Sequence, residues 1–240
     1  MPRKPFAFKQ FRIEQNEVTL PVTTDACLFG AWIDLNQAAS VLDLGTGTGL
    51  LLLMLAQRYP QLKGYGLELD PNTALQAAAN AASSPFQDRL QITQGNWNQD
   101  LSQLAPTWPL PFDTIVCNPP FFENHQENPD PLKRQARHAA EGSLKQLLQS
   151  AAKLIKPQGR MWLLLPPSAV PNHWEGWQPI SQRALAPHPQ KEPHLYVLEL
   201  GLAGEHSAEA LLLDTHFTYE SPGCYSPETK ALLKEFYLAF

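Results

Sequence analysis

Four consecutive residues, Asn118-Pro119-Pro120-Phe121, bring together what is needed to work on an aromatic amino nitrogen. Such a nitrogen shares its lone pair with the ring and attacks poorly. The side-chain oxygen of Asn118 and the carbonyl of Pro119 can both accept hydrogen bonds from an NH2 group. That arrangement favours a pyramidal nitrogen with its lone pair aimed at an electrophile. Pro119 and Pro120 donate no N–H and stiffen the turn, so the acceptors stay turned outward. Phe121, followed by Phe122, offers an aromatic face on which a presented base can stack.

A second feature, Val41-Leu-Asp-Leu-Gly-Thr-Gly-Thr-Gly-Leu50, reads as an apolar strand running into a glycine-rich turn and then a helix. Gly45, Gly47 and Gly49, with Thr46 among them, let the backbone turn tightly and approach a ligand closely. The nicotinamide fingerprint G-x-G-x-x-G fails because Leu50 stands where the third glycine is required, and no Gly-Lys-Ser/Thr follows to make a phosphate loop. The next strand ends Gly66-Leu-Glu68-Leu69-Asp70, placing Glu68 about 20 residues past the loop, where an acid can accept from ribose hydroxyls. Asn96, closing the third strand, is placed for an adenine ring, and Asp43 for the loop amides or a ligand's amino group.

These residues need a sheet to hold them. Val41 to Leu44, Gly64 to Leu69, Leu90 to Thr93, Thr114 to Cys117 and Met161 to Leu165 read as apolar strands. Leu50 to Arg58, Asn72 to Ala82 and Ser143 to Ile155 have helical spacing, with Lys156 to Gly159 as a stop and turn. The alternation predicts an α/β fold with a doubly wound, mostly parallel, Rossmann-like sheet of seven strands. His194 to Leu202 and Leu211 to Tyr219 are expected as antiparallel additions at one edge, and Pro227 to Phe240 as a terminal helix. One domain over residues 1–240 is expected, residues 1–40 capping a core of 41–240.

With 240 residues and 43% hydrophobic content the chain can bury a sizeable core. No apolar run is long enough to cross a bilayer, and the N-terminus lacks a signal-peptide pattern, which gives a cytoplasmic expectation. Cys27, Cys117 and Cys224 are far apart and form neither a disulfide framework nor a zinc motif, so no metal is expected. A net charge of −5 argues against coating nucleic acid non-specifically but leaves two local basic clusters, Arg3 to Arg12 and Lys133 to His138.

The D-x-G-x-G-x-G segment from Asp43 to Gly49, with Glu68 after it, resembles motif I and motif II of the class I S-adenosylmethionine-dependent methyltransferases, and Asn118-Pro-Pro-Phe121 resembles their amino-methyltransferase motif IV. Asn96 replaces the Asp common at that family position. Further likeness, in Phe8-Lys-Gln-Phe11, Thr24-Asp25-Ala, Ala136-Arg-His138, Tyr225-Ser-Pro227 and Phe236-Tyr-Leu238, is to the bacterial tRNA(Val) adenine-N6-methyltransferases. The resemblance implies S-adenosylmethionine as cofactor and tRNA, at adenine 37, as substrate. It also places Lys9, Thr24 and Asp25 at the methionine end of the cofactor, and Arg134, Arg137 and His138 toward phosphates.

Three alternatives remain open on residues alone. Asp25 can instead cap a helix. The same Asn-Pro-Pro-aromatic motif serves protein glutamine methyltransferases, although those enzymes bear a larger N-terminal domain. A module that binds cofactor or RNA without methyl transfer is disfavoured by the intact Asn118. The acids Glu123, Glu127 and Asp130 next to the expected substrate mouth oppose phosphate unless that segment moves or the partner differs.

Overall fold

The chain, described here from a computed structural model covering residues 3–16, 21–98, 101, 105–119, 144–206 and 212–240, runs β1 (Phe6–Ala7), β2 (Arg12–Ile13), α1 (Thr24–Trp32), β3 (Ser40–Leu44), α2 (Leu50–Arg58), β4 (Lys63–Glu68), α3 (Pro71–Ala82), β5 (Leu90–Gln94) and β6 (Phe112–Cys117). It continues with α4 (residues 144–154), β7 (Ile155–Leu165), β8 (Trp177–Ala186), β9 (Leu195–Leu202), β10 (Leu212–Phe217), β11 (Tyr219–Ser221), β12 (Cys224–Tyr225) and α5 (Pro227–Leu233).

Side chains that alternate along each strand divide between two apolar layers. Val41, Val116, Trp162 and Leu164 join a layer with α1, α2 and the aromatic residues Phe8, Phe11 and Phe236. Their neighbours Leu42, Leu44, Ile115, Cys117, Met161, Leu163 and Leu165 enter a second layer with Leu144, Leu147, Leu148 and Ala151 of α4. A parallel sheet is stable because both of its faces are covered in this way.

Eight strands form the sheet, in the order β10-β8-β9-β7-β6-β3-β4-β5. Those from β7 to β5 are parallel, and β9 runs antiparallel between β7 and β8. β8 is not among the strands expected from sequence: it mixes polar and apolar residues, contains Pro179, and its side chains are mostly half-buried. β10, expected as antiparallel, pairs with β8 in parallel. The stop and turn expected at Lys156 to Gly159 becomes a bulge inside β7: Phe112 pairs with Ile155 and Thr114 with Arg160, so the intervening residues loop out. A Cβ on Gly159 would stand 2.8 Å from the Asp113 carbonyl, which is why the bulge takes glycine there. The terminal helix is shorter than expected and ends at Leu233, after which turns carry Tyr237 into a bridge with Phe8.

Capping residues fix the helix starts that bear on the site. The hydroxyl of Thr23 accepts from the Ala26 amide at 3.1 Å, and the Asp70 carboxylate accepts from the Thr73 amide at 2.8 Å with Pro71 in the first turn. Asp25, considered above as a cap, lies inside the first turn of α1 and does not cap it.

Candidate active site

The turns after β3, β4 and β6 lie side by side at one rim of the sheet. Asp43 pairs with Gly66 on one side and Val116 on the other, so Gly45, Glu68 and Asn118 each stand two residues beyond that row. Strand order reverses between β3 and β6, because β4 and β5 are laid down on one side of β3 and β6 and β7 on the other. Such a switch point opens a crevice at the carboxyl ends of the strands, where ligands of α/β sheets bind.

The glycine loop is held from several elements. The amides of Gly45 and Thr46 both donate to the Leu67 carbonyl, the Gly47 amide donates to Glu68 Oε2 at 2.9 Å, and the Thr48 carbonyl accepts from Asn80 Nδ2 at 2.9 Å. Gly47 has φ = +55° with no atom within 4 Å of where a Cβ would stand, so its requirement is conformational. Gly66 is required for space: a Cβ there would come within 2.9 Å of Thr46 Cγ2 and 2.7 Å of Ile92.

Asp43 is 1% exposed, and Thr46 Oγ1 donates to its Oδ2 at 2.8 Å. Burial pushes its carboxyl up to about 7, the Thr46 hydrogen bond opposes the rise, and the charge of Glu68 adds to it. Asp43 Oδ1 is buried with no hydrogen-bond partner among the described residues. Glu68 accepts from Asp70 N at Oε1 as well as from Gly47 N, and each oxygen keeps a further lone-pair direction. Asp70 is occupied as the α3 cap, which separates its role from that of Glu68.

Asn118 and Pro119 are half-buried at the end of β6. The Cys117 thiol just before them donates to the Leu44 carbonyl at 2.9 Å and fastens the end of β6 to the end of β3; burial holds that thiol in its neutral form. Pro120, Phe121, Phe122, Arg134, Arg137 and His138 lie outside the described residues. Leu69 is 56% exposed beside Glu68. Asn96 follows the pairing of Glu68 with Gln94, and its side-chain oxygen accepts from the Asn98 amide, which shapes the turn after β5.

Thr24 and Asp25 meet partners that sequence spacing does not single out. Thr24 Oγ1 is 3.0 Å from the hydroxyl of Tyr225, and Asp25 Oδ2 is 3.1 Å from His194 Nε2. Since Leu165 pairs with Tyr196, the start of β9 and His194 before it lie at the same rim as the loop. Lys9 is placed in a different group: its ammonium donates to the carbonyls of Lys234 and Phe240, an end-cap for α5 and the terminal turns. Trp97 is a further residue the spacing does not reveal, its ring edge 3.9 Å from the Cβ position of Gly45.

The chain matches a methyltransferase domain family over residues 35–201. It is 38% identical over 99% of its length to the tRNA1(Val) (adenine(37)-N6)-methyltransferase of Porphyromonas gingivalis, covering 96% of that protein. Enzymes of the same name from Shewanella loihica and Pedobacter heparinus are 34% and 33% identical, with 98% and 99% of this chain and 99% and 100% of theirs covered. Among solved structures, a predicted O-methyltransferase from Agrobacterium tumefaciens has a TM-score of 0.66 at 15% identity, covering 88% of this chain and 96% of that one. The glycopeptide N-methyltransferase MtfA with S-adenosyl-L-homocysteine has a TM-score of 0.54 at 14% identity, covering 78% and 92%. Those two likenesses speak to the fold, whereas the full-length identities and the domain match show that the chain belongs to the methyltransferase domain family and, within it, to the same family as these tRNA1(Val) (adenine(37)-N6)-methyltransferases.

Proposed function

We propose that this protein transfers a methyl group from S-adenosylmethionine to N6 of an adenine in tRNA, adenine 37 of tRNA1(Val) as in the relatives. The observation that carries the reading is the adjacency of the Asn118-Pro119 turn to the glycine loop across the β3–β6 pairing. The residues present fit the cofactor. The unpartnered Asp43 Oδ1 is an acceptor waiting for a donor, Glu68 ends β4 where ribose hydroxyls would be met, and the open loop at Gly47 leaves room for close approach. Lys9 enters no part of this reading, since the carbonyls it binds account for its position.

When bound, S-adenosylmethionine supplies a methyl already activated by its sulfonium. The chain's own task is to orient the nitrogen. Asn118 Oδ1 and the Pro119 carbonyl accept from the adenine NH2 and hold its lone pair toward the loop. As the nitrogen gains positive character its N–H groups become stronger donors, so both acceptors bind the transition state more tightly than the ground state. The excess proton leaves to solvent from a product that is acidic until it does so, and no strong base is required. Among the described residues no group of His, Cys, Asp and Glu could hold a metal ion, and no helix is long and apolar enough to cross a membrane. A base in a folded anticodon arm must turn outward to reach such a rim, which shape rather than bulk charge would select given the net charge of −5.

The glutamine-amide alternative shares the Asn-Pro-Pro chemistry, but the full-length relatives carry the tRNA name, so the base is preferred. The test is incubation with methyl-labelled S-adenosylmethionine and tRNA1(Val) transcript, followed by nucleoside mass spectrometry. The expected product is N6-methyladenosine at position 37. Its absence, in protein shown to bind the cofactor, would overturn the proposal.

A further inference from the structure

Asn80 is buried, 2% exposed, in the last turn of α3, beside Ala77 and Ala81 on its buried face. A buried amide there is a poor helix residue and is expensive to desolvate unless its polar atoms are met. They are met in full. Asn80 Oδ1 accepts from the Glu14 amide at 2.9 Å, and Nδ2 donates both to the Glu14 carbonyl and to the Thr48 carbonyl, each at 2.9 Å. Toward Glu14 the side chain acts as a strand would, binding amide and carbonyl of one residue together. Toward Thr48 it reaches the glycine loop between Gly47 and Gly49, two residues at positive φ.

Three successive loop residues are thus tied by three side chains from three elements: Thr46 by Asp43 of β3, the Gly47 amide by Glu68 of β4, and the Thr48 carbonyl by Asn80 of α3. The first two are carboxylates with capacity left for a ligand. Asn80 is 2% exposed, with both of its N–H donors and its oxygen bonded within the chain, so it meets the loop and not a ligand. The Thr48–Gly49 peptide is held at both of its polar ends, the Gly49 amide donating to the Thr46 carbonyl at 2.9 Å within the loop and the Thr48 carbonyl accepting from Asn80, the bond that comes from outside it.

We infer that Asn80 is a positioning residue: it anchors the Thr48 carbonyl from outside the cofactor loop, steadies the loop amides with it, and couples that loop to the N-terminal segment through Glu14. The inference rests on the reading that the glycine loop holds the cofactor. It extends that reading from the residues that meet the ligand to one that sets their geometry. Gln15, the neighbour of Glu14, donates to the Lys4 carbonyl and accepts from the Val22 amide, so the segment that Asn80 grips is itself laced to the entry of α1.

The experiment compares Asn80→Leu and Asn80→Asp with Gly47→Val and with Ser84→Ala. Ser84 is buried at the end of α3, donates to the Ala81 carbonyl and accepts from Phe86 N, and so tests stability without touching the loop. S-adenosylhomocysteine affinity is measured by calorimetry at 15 °C on protein shown to be folded by circular dichroism, together with KM and kcat. Both Asn80 variants are expected to weaken binding about tenfold or more with kcat at saturating cofactor changed about threefold or less. Ser84→Ala should lower the melting temperature and leave the affinity as it was. Unchanged affinity in folded Asn80→Leu or Asn80→Asp, with Gly47→Val impaired, overturns the role of Asn80 alone. Unchanged affinity in Gly47→Val overturns the loop reading itself. Should Asn80→Leu fail to fold, Asn80→Asp decides, since it keeps the shape and the acceptor and loses both donated bonds.

Discussion

Replacing Asp43 with asparagine should make the cofactor-free protein more stable at pH 8 and less stable, by ~1–3 kcal/mol, at pH 4. In the folded chain burial moves this carboxyl from 3.8 to about 7, which corresponds to ~4 kcal/mol of destabilisation once the group is ionised in both states. The sign follows from the protons bound. Below pH ~4 folded and unfolded chains both carry the proton and the penalty vanishes. Between about 4 and 7 the folded chain holds a proton that the unfolded chain has lost, so stability falls as pH rises; above about 7 the full penalty is present. The substituted amide carries no charge and can still accept from Thr46, but it places an unpaired donor near the Oδ1 position, which offsets ~1–3 kcal/mol of the gain. The net expectation is ~1–3 kcal/mol in favour of Asp43→Asn at pH 8. Urea denaturation of both proteins at pH 4, 6 and 8 measures it. A difference between the two that stays constant across this range would refute the assignment of a buried, ionising Asp43. The same substitution should weaken cofactor binding, setting stability against function at one atom.

Asn118→Ala should lower kcat by about 10²- to 10³-fold with S-adenosylhomocysteine affinity changed less than about threefold, as read by single-turnover tRNA methylation and calorimetry. Gly66→Ala should destabilise the fold by ~1–3 kcal/mol, because its Cβ meets Thr46 and Ile92; a denaturant midpoint equal to wild type would contradict the packing at β4. Lys9→Met should lower the melting temperature slightly, by no more than ~1 kcal/mol of stability for so exposed a side chain, and leave cofactor affinity intact. A tenfold loss of affinity would return Lys9 to the cofactor pocket that family resemblance gives it. Trp97→Ala should weaken cofactor binding and remove the fluorescence change on titration, because the ring stands beside Gly45 at the crevice.

The half of the molecule from β3 to β6 is legible in sequence because its signals are local. An apolar run, a glycine turn and a helical stripe each report on their own conformation, and α2 begins and ends at the residues that spacing gives, Leu50 and Arg58. Of the two acids after β4's apolar run, Asp70 is the one whose carboxylate the structure assigns to a local task, the α3 cap. What escapes is set by distant partners. β8 is half polar and contains proline, and only its pairing with β9 makes it a strand. The direction of β10 depends on a neighbour that the sequence does not announce. Asn80 looks like a helix-surface residue until Glu14, 66 positions away, is seen bonded to it. Lys9 carries the opposite lesson: its place in a recurring motif suggests chemistry, and its hydrogen bonds describe a strut.

The bridge between Phe8 and Tyr237, with Lys9 N donating to the Phe236 carbonyl, has a consequence for how the protein comes into being. Phe8 and Phe11 stack on each other and pack with Tyr237 and Phe86, so the segment between β1 and β2 finds one partner after α3 and another only after α5. During synthesis the Phe8 side of that aromatic cluster must stay exposed until the ribosome has delivered the residues after α5. The sheet can assemble while the chain is growing; the closing of its Phe8 flank waits for Tyr237 to emerge. A nascent chain stalled before Tyr237 would therefore offer its aromatic flank to chaperones.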